Sequence, residues 1–179
     1  MKLLIKTGKE LTDSEFEQIT QAHLREFKEG PSNKSDLGDN HFFLLKAGEK
    51  ILAAGILISV QPVNFNKEIF SILGIGGIIA NERGKGYGKK IMLAVRKYLA
   101  KKNISGVGFC GEYNSDFYQK CGFQTDRDSI RRFIYYENGK RIENKSDDFV
   151  LYWNSSDNFM KKVLANKKTD IILPRPPNW

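Results

Sequence analysis

The chain has 179 residues, of which 40% are hydrophobic and 12% aromatic. These values are typical of a globular protein and exclude a disordered chain, and the length favours one domain. The formal net charge of +8 indicates either affinity for polyanions or simply a soluble surface. No signal peptide is expected, and the longest apolar run, Ile51 to Val60, is too short to cross a bilayer, so the sequence predicts a cytoplasmic protein. Cys110 and Cys121 have neither a metal-ligand spacing nor a disulfide framework, which also favours a reducing compartment.

The first part of the chain predicts one strand and one amphipathic helix. Lys2 to Thr7 suits a strand. The run Thr12-Asp13-Ser14 offers caps for a helix, and Glu15 and Glu17 in its first turn match the helix dipole. We favour a core or boundary role for His23 over a catalytic one, because nothing nearby completes a dyad. The segment from Glu29 to Asn40 is loop-like and could roof a substrate site in an enzyme. The helix face expected to be buried consists of Phe16, Ile19, His23 and Phe27.

Three further strands are expected. His41 to Ala47 and Ile51 to Val60 flank a tight turn and predict a hairpin, whose second strand is apolar on both faces and belongs inside a sheet. A connecting loop is expected from Gln61 to Lys67. The next strand, Ile72 to Ile79, contains glycines that mark a bulge or the close approach of a ligand backbone. These glycines are Gly74, Gly76 and Gly77.

A glycine-rich turn, Arg83 to Gly88, joins that strand to a helix that runs to about Ala100. Its glycines allow a tight turn and leave N–H groups open at the positive end of the helix dipole, where an anion binds. The glycines are evenly spaced, and no Ser or Thr follows the turn. The turn therefore matches neither the dinucleotide-binding fingerprint nor the P-loop fingerprint. Taken alone, the turn is equally consistent with a plain connection. The glycines are Gly84, Gly86 and Gly88, and the cations suited to a phosphate are Arg83, Lys85 and Lys89.

The turn resembles the acyl-CoA pyrophosphate loop of the GNAT superfamily of N-acetyltransferases, whose pattern is Arg/Gln-x-x-Gly-x-Gly/Ala. Arg83, Gly86 and Gly88 match every fixed position. A short helix is expected from Ser115 to Lys120. The run NSDFYQKCGF, which contains it and ends at Phe123, resembles the second signature, with Tyr118 at the tyrosine position. The resemblance implies a single α/β (α+β) domain with a mixed, mostly antiparallel sheet of six or seven strands flanked by helices.

The resemblance also implies a reaction, in which acetyl-CoA donates an acetyl group directly to a primary amine of a small molecule or peptide in a ternary complex. Tyr118 would protonate the departing thiolate as general acid. The central strand lacks the glutamate that some members use as base, so Glu112 is the candidate base, with a helix-capping or surface role as the alternative. Asn114 is a candidate CoA contact, although the family more often has asparagine at the position of Gly111. The other residues assigned to CoA are Ile78, Ile79, Ala80, Arg83, Gly84, Lys85, Gly86, Tyr87, Gly88 and Lys89, of which the first three pair with the pantetheine arm.

The sequence of the last third of the chain predicts a hairpin at Asn138-Gly139, a strand from Phe149 to Trp153 and a helix from Asn158 to Asn166. We expect residues 1–153 to form the acetyltransferase domain. Residues 154–179 would be a C-terminal helix and proline-containing tail, packed on the domain or on a second subunit. The run from Asp147 to Phe149 and the terminal Trp179 weakly resemble aminoglycoside 2'-N-acetyltransferases.

Two other functions remain open. A CoA-binding sensor or regulatory module without efficient catalysis would explain the missing strand acid. A basic nucleic-acid-binding domain is disfavoured, because the lysines are spread along the chain and the aromatic residues fall mostly on faces expected to be buried. We therefore expect no nucleic acid, membrane or metal partner, and a homodimer is possible.

Overall fold

A computed structural model describes residues 1–31, 33–144 and 147–176. The chain divides into two compact units, and residues 50–65, 68–80 and 87–102 each contribute to both. Unit 1 consists of Met1–Ile58 and Gly76–Val95, and unit 2 consists of Ser59–Ile75 and the chain from Arg96 onward. The elements are β1 (Lys2–Thr7), α1 (Asp13–Phe27), β2 (His41–Ala47), β3 (Lys50–Phe65), β4 (Glu68–Ala80), α2 (Tyr87–Lys102), β5 (Gly106–Cys110), α3 (Glu112–Lys120), β6 (Gln124–Asp126), β7 (Phe133–Glu137), β8 (Lys140–Glu143), β9 (Phe149–Trp153), α4 (Phe159–Ala165) and β10 (Ile171–Ile172).

The strand pairing is mixed and mostly antiparallel, which confirms the predicted fold class. Two parallel pairs occur among the described residues, β4 with β5 and β10 with β7. The described strands number ten, more than the six or seven expected. The difference comes largely from short strands such as β6 and β10, which have three and two residues and are too brief to give a periodic sequence signal.

In unit 1, β1, β2 and the first part of β3 form an antiparallel sheet. The helix α1 begins with a reciprocal capping box: the Thr12 hydroxyl accepts a hydrogen bond from Glu15 N–H, and Glu15 Oε2 accepts one from Thr12 N–H. It ends at Lys28, which has a left-handed φ of 64°. The expectation that Phe27 is buried is wrong: it lies in the last turn, beyond the covered part of the helix face, and 47% of it is exposed. The core of unit 1 includes Leu11, Ile19, Ala22, Phe42, Leu44, Ala54, Ile56 and Ile79.

In unit 2, β5 pairs with β9, and β9 pairs with β6, while β7 and β8 form the hairpin predicted at Asn138-Gly139. The helix α4 packs its apolar side into the core of this unit. The guanidinium of Arg132 donates hydrogen bonds to the carbonyl oxygens of Val163, Asn166 and Thr169, which satisfies the end of α4 and the segment after it. The core residues include Val60, Phe65, Phe70, Ile72, Val107, Phe133, Val150, Phe159, Met160 and Val163.

Two predicted boundaries are wrong. The expected loop from Gln61 to Lys67 is mostly strand, because β3 continues to Phe65 and the turn is confined to Asn66 and Lys67, which have φ values of 49° and 63°. Burial of alternate side chains at the end of β3 explains the longer strand. The third helix begins at Glu112, not Ser115, because Asp148 Oδ2 accepts a hydrogen bond from Glu112 N–H at 2.9 Å.

The C-terminal segment after α4 includes β10, which pairs in parallel with β7. Trp179, on which the aminoglycoside resemblance partly depends, lies outside the described residues. Within the part of the chain that the structure describes, no helix is both long and apolar enough to cross a membrane.

Candidate active site

The glycine-rich turn opens its backbone to solvent in front of α2. Gly84 and Gly86 have φ values of +77° and +72°, a region that side chains rarely adopt, and a Cβ added to either would meet nothing within 4 Å. The first backbone hydrogen bond of α2 runs from Lys90 N–H to the Gly86 carbonyl at 3.1 Å. The N–H groups before it therefore lack intrahelical partners, and they point outward at the positive end of a helix of 16 residues.

Cations surround this open backbone. Arg83, Lys85 and Lys89 are all exposed. Arg83 Nη2 lies 3.3 Å from Glu26 Oε1, and 90% of the Arg83 side chain is exposed. An exposed ion pair of this kind contributes little, so the guanidinium can exchange Glu26 for a phosphate group at small cost. The turn is thus a positively charged, anion-accepting surface.

Asn81 fixes the start of the turn, and sequence reasoning missed it. Its backbone N–H donates to the Leu52 carbonyl at 2.9 Å, and its side-chain amide donates to the Ile51 carbonyl at 2.5 Å. Arg25 donates to its Oδ1 at 3.0 Å. An asparagine directly after a strand is a turn signal, but only the fold shows that it ties this turn to β3 and α1.

The end of β4 changes geometry at Gly77. The parallel pairing with β5 joins Leu73–Ile75 to Gly106–Gly108, and β4 continues five residues beyond its last pair. Gly77 has a φ of +56°, in the left-handed region that glycine adopts at little cost. Of the three residues predicted to pair with pantetheine, Ile79 is buried in the core of unit 1, Ile78 is half-buried and Ala80 is exposed.

His23 packs against Gly77. A Cβ on Gly77 would lie 2.8 Å from His23 Cε1 and 2.9 Å from Nε2, so only glycine leaves room for the imidazole. His23 is 9% exposed, and Nε2 has no hydrogen-bond partner. A buried polar atom without a partner typically costs about 1–3 kcal/mol. Burial lowers the pKa of His23, while an interaction with the Gly77 backbone opposes that shift. The predicted core position is therefore confirmed, but the imidazole is not fully satisfied there.

Tyr118 is in unit 2, on α3, and is 8% exposed. Its ring contacts that of Phe117 edge-on, with centroids 5.1 Å apart. Burial raises its pKa, with smaller contributions from Cys110 and other neighbours. The phenol is therefore protonated at neutral pH.

Glu112 and Asn114 lie in the first turn of the same helix. The Glu112 carboxylate is 69% exposed and pairs with Arg127 Nη2 at 2.6 Å. This position at the positive end of a helix suits an acidic side chain electrostatically. Asn114 N–H donates to the Gly111 carbonyl at 3.0 Å, which continues the turn. Both residues thus have local structural contacts that account for their positions.

The predicted site residues fall into one group in each unit. Unit 1 holds Ile78 to Ala80 and Arg83 to Lys89 on continuous chain, and unit 2 holds Glu112, Asn114 and Tyr118 on one helix. Within the described ranges, no group of three or more His, Cys, Asp or Glu side chains could hold a metal ion. Cys110 and Cys121 are both buried, and neither is in a disulfide.

Comparison with solved structures finds the same fold in several proteins. Escherichia coli ElaA is 16% identical, with a TM-score of 0.61 over 85% of this chain and 99% of that one. A Bacillus subtilis acetyltransferase in complex with CoA is 22% identical, with a TM-score of 0.55 over 86% and 99%. The catalytic domain of the Tetrahymena GCN5 histone acetyltransferase in complex with coenzyme A is 14% identical, with a TM-score of 0.55 over 86% and 92%. These likenesses show the fold.

A search of curated proteins finds no match. The family model described as acetyltransferase (GNAT) family matches residues 7–123, which is well over half of the chain and includes both the glycine-rich turn and Tyr118. The chain therefore belongs to the GNAT family of acetyltransferases.

Proposed function

We propose that this protein transfers an acetyl group from acetyl-CoA to a primary amine of a small molecule or peptide by direct attack in a ternary complex. The observation that carries this proposal is the open backbone at Gly84 and Gly86 in front of α2, flanked by exposed cations. A pyrophosphate needs several convergent N–H donors and positive charge, and this turn supplies both. Two of the solved structures of the same fold contain CoA.

Each predicted residue takes one role in this proposal. The turn from Arg83 to Lys89 binds the pyrophosphate, and the backbone of Ile78 to Ala80 pairs with the pantetheine arm. Tyr118 donates a proton or hydrogen bond to the thiolate as the thioester breaks. Because burial raises its pKa, we expect its main contribution to be a hydrogen bond that stabilises the developing charge.

The test combines CoA binding and turnover. Calorimetric titration of the wild-type protein with CoA should show binding, and an amine panel with acetyl-CoA should show at least one acetylated product. Binding without any turnover would instead favour the sensor or regulatory function. An absence of CoA binding would contradict the whole proposal.

Two glycines provide a matched pair of variants. Gly86 and Gly139 have φ values of +72° and +74°, and neither has an atom within 4 Å of an added Cβ. Alanine therefore imposes a similar backbone strain at both positions, about 1–2 kcal/mol. Gly86→Ala should weaken CoA binding at least tenfold because the strained turn relaxes and its N–H groups no longer converge. Gly139→Ala, in the β7–β8 hairpin, should leave the CoA dissociation constant unchanged. Equal CoA affinities for the two variants would contradict the assignment of the turn to the CoA-binding site.

A further inference from the structure

Side-chain polar atoms that are buried without a hydrogen-bond partner are few among the described residues. They are Thr20 Oγ1, His23 Nε2 and Ser129 Oγ. Two of the three lie one turn apart on α1. An unpaired buried nitrogen destabilises a fold, and its retention calls for a specific explanation. His23 is the titratable member of this set.

The position of His23 relative to β4 gives that explanation. The proposed pyrophosphate site follows β4 in the chain, so the pantetheine arm that leaves it runs back along Ala80, Ile79 and Ile78. The thioester, at the far end of the arm, then lies level with the residue before Ile78. That residue is Gly77, and the imidazole of His23 fills the space that any side chain at Gly77 would occupy.

We propose that His23 is the general base of the reaction and accepts a proton from the acceptor amine at Nε2. This inference rests on the proposed function, because it takes the course of the pantetheine arm from it. It supplies the base that the glycine-rich end of β4 lacks. Glu112, the base expected from the sequence, is instead held in an exposed ion pair with Arg127.

The protonation state of His23 suits this role. Nε2 has no hydrogen-bond partner, and in the neutral imidazole one of the two ring nitrogens carries a free lone pair that can accept a proton. Burial lowers the pKa of His23, so the imidazole is neutral at pH 7. Phe27 packs edge-on against the ring with centroids 5.4 Å apart and is 47% exposed. A substrate can displace this side chain, and a base can also act through one water.

The causes of the His23 pKa shift are burial and the Gly77 backbone, with no charged side chain among them. Phe27 on α1 and Gly77 on β4 lie against the imidazole, and neither residue titrates. The next charged residues along α1 have partners of their own. Arg25 donates to Asn81, and Glu26 pairs with Arg83.

The proton balance is complete without a further reactant. The acceptor ammonium gives one proton to Nε2, and the free amine nitrogen forms a bond to the thioester carbonyl carbon. The carbon–sulfur bond then breaks, and the second proton lost from nitrogen ends on the thiol of CoA. The imidazolium finally releases its proton to water, which restores the neutral base.

His23→Gln tests the proposal, since glutamine keeps much of the side-chain volume but cannot take up the proton. The chain contains two histidines, so His41→Gln is a matched control on β2. At pH 7, His23→Gln should lower kcat at least 100-fold, with CoA affinity within twofold of wild type, and the deficit should shrink as rising pH supplies unprotonated amine. His41→Gln should retain wild-type kcat. A His23→Gln kcat within threefold of wild type, or a loss that is constant with pH, would overturn the inference.

A second measurement tests the proposal even if the His23→Gln variant does not fold. In the ¹⁵N-histidine-labelled His41→Gln protein, the single remaining imidazole belongs to His23 and can be titrated by NMR with saturating CoA. The acid limb of the kcat profile should coincide with that titration, below the usual histidine range. A profile with no inflection there would overturn the role of His23. CoA binding and turnover by the wild-type protein test the proposed function separately, so the two failures are distinguishable.

Discussion

Glu15 is a nearly fully buried carboxylate that holds the first turn of α1, and its replacement by glutamine should destabilise the protein in a pH-dependent way. Its side chain is 2% exposed and lies between two lysines, with Lys6 Nζ at 2.7 Å and Lys46 Nζ at 2.8 Å. It also accepts a hydrogen bond from Thr12 N–H at 3.0 Å. The same helix carries His23, so this cluster stabilises the element on which the proposed base depends.

The magnitude follows from the pKa of Glu15. Burial alone would raise it, but the hydrogen bonds from Lys46, Lys6 and Thr12 outweigh burial and lower the pKa from 4.5 to about 2. Since one pKa unit corresponds to about 1.36 kcal/mol, this shift corresponds to about 3 kcal/mol of stability. Because the folded pKa lies below the unfolded one, the contribution is fully present above pH 4.5 and is lost as pH falls through 2. About 1 kcal/mol should remain at pH 3.

Urea unfolding at pH 7, 5, 4 and 3 measures this contribution as the difference in unfolding free energy between wild type and Glu15→Gln. We expect a difference of about 3 kcal/mol at pH 7 that falls by more than half at pH 3. Glu17→Gln is the control, because Glu17 is exposed on the same helix. A Glu15→Gln difference below about 1 kcal/mol at pH 7, or one that does not change with pH, would refute the reasoning.

Two further substitutions test the site and the fold of unit 2. Tyr118→Phe should lower kcat about 100-fold or more and leave CoA affinity unchanged, since only the hydroxyl is lost. The control is Tyr113→Phe on the same helix, which should leave kcat unchanged because Tyr113 is 87% exposed. Equal rates for the two variants would count against the role of Tyr118. Arg132→Leu should lower the unfolding free energy by about 2–4 kcal/mol because three carbonyl oxygens lose their donor. The exposed Arg131→Leu should change it by less than about 0.5 kcal/mol, and similar losses in thermal or urea unfolding would contradict the capping role of Arg132.

The sequence predicted elements best where the physical signal is local. The α1 capping box needs only Thr12 and Glu15, three residues apart, and the β7–β8 turn needs only Asn138-Gly139. The glycine-rich turn was likewise visible from its own residues, because a positive φ and an open backbone are properties that glycine brings with it. Errors occurred where a distant partner decides the structure. Asp148 extends α3 back to Glu112 from 36 positions away, and pairing across a sheet carries β3 through the segment expected to be a loop.

For this protein, the sequence by itself determined the fold class, the family and the candidate pyrophosphate turn, since these follow from residue types at fixed short spacings. Only the tertiary structure decided what surrounds them. It showed that Asn81 ties the turn to β3, that Glu112 pairs with Arg127, and that the imidazole of His23 fills the space beside Gly77 with one nitrogen unpaired. These contacts join residues up to 54 positions apart in the chain. Such contacts depend on how helices and strands pack, which spacing along the sequence does not specify.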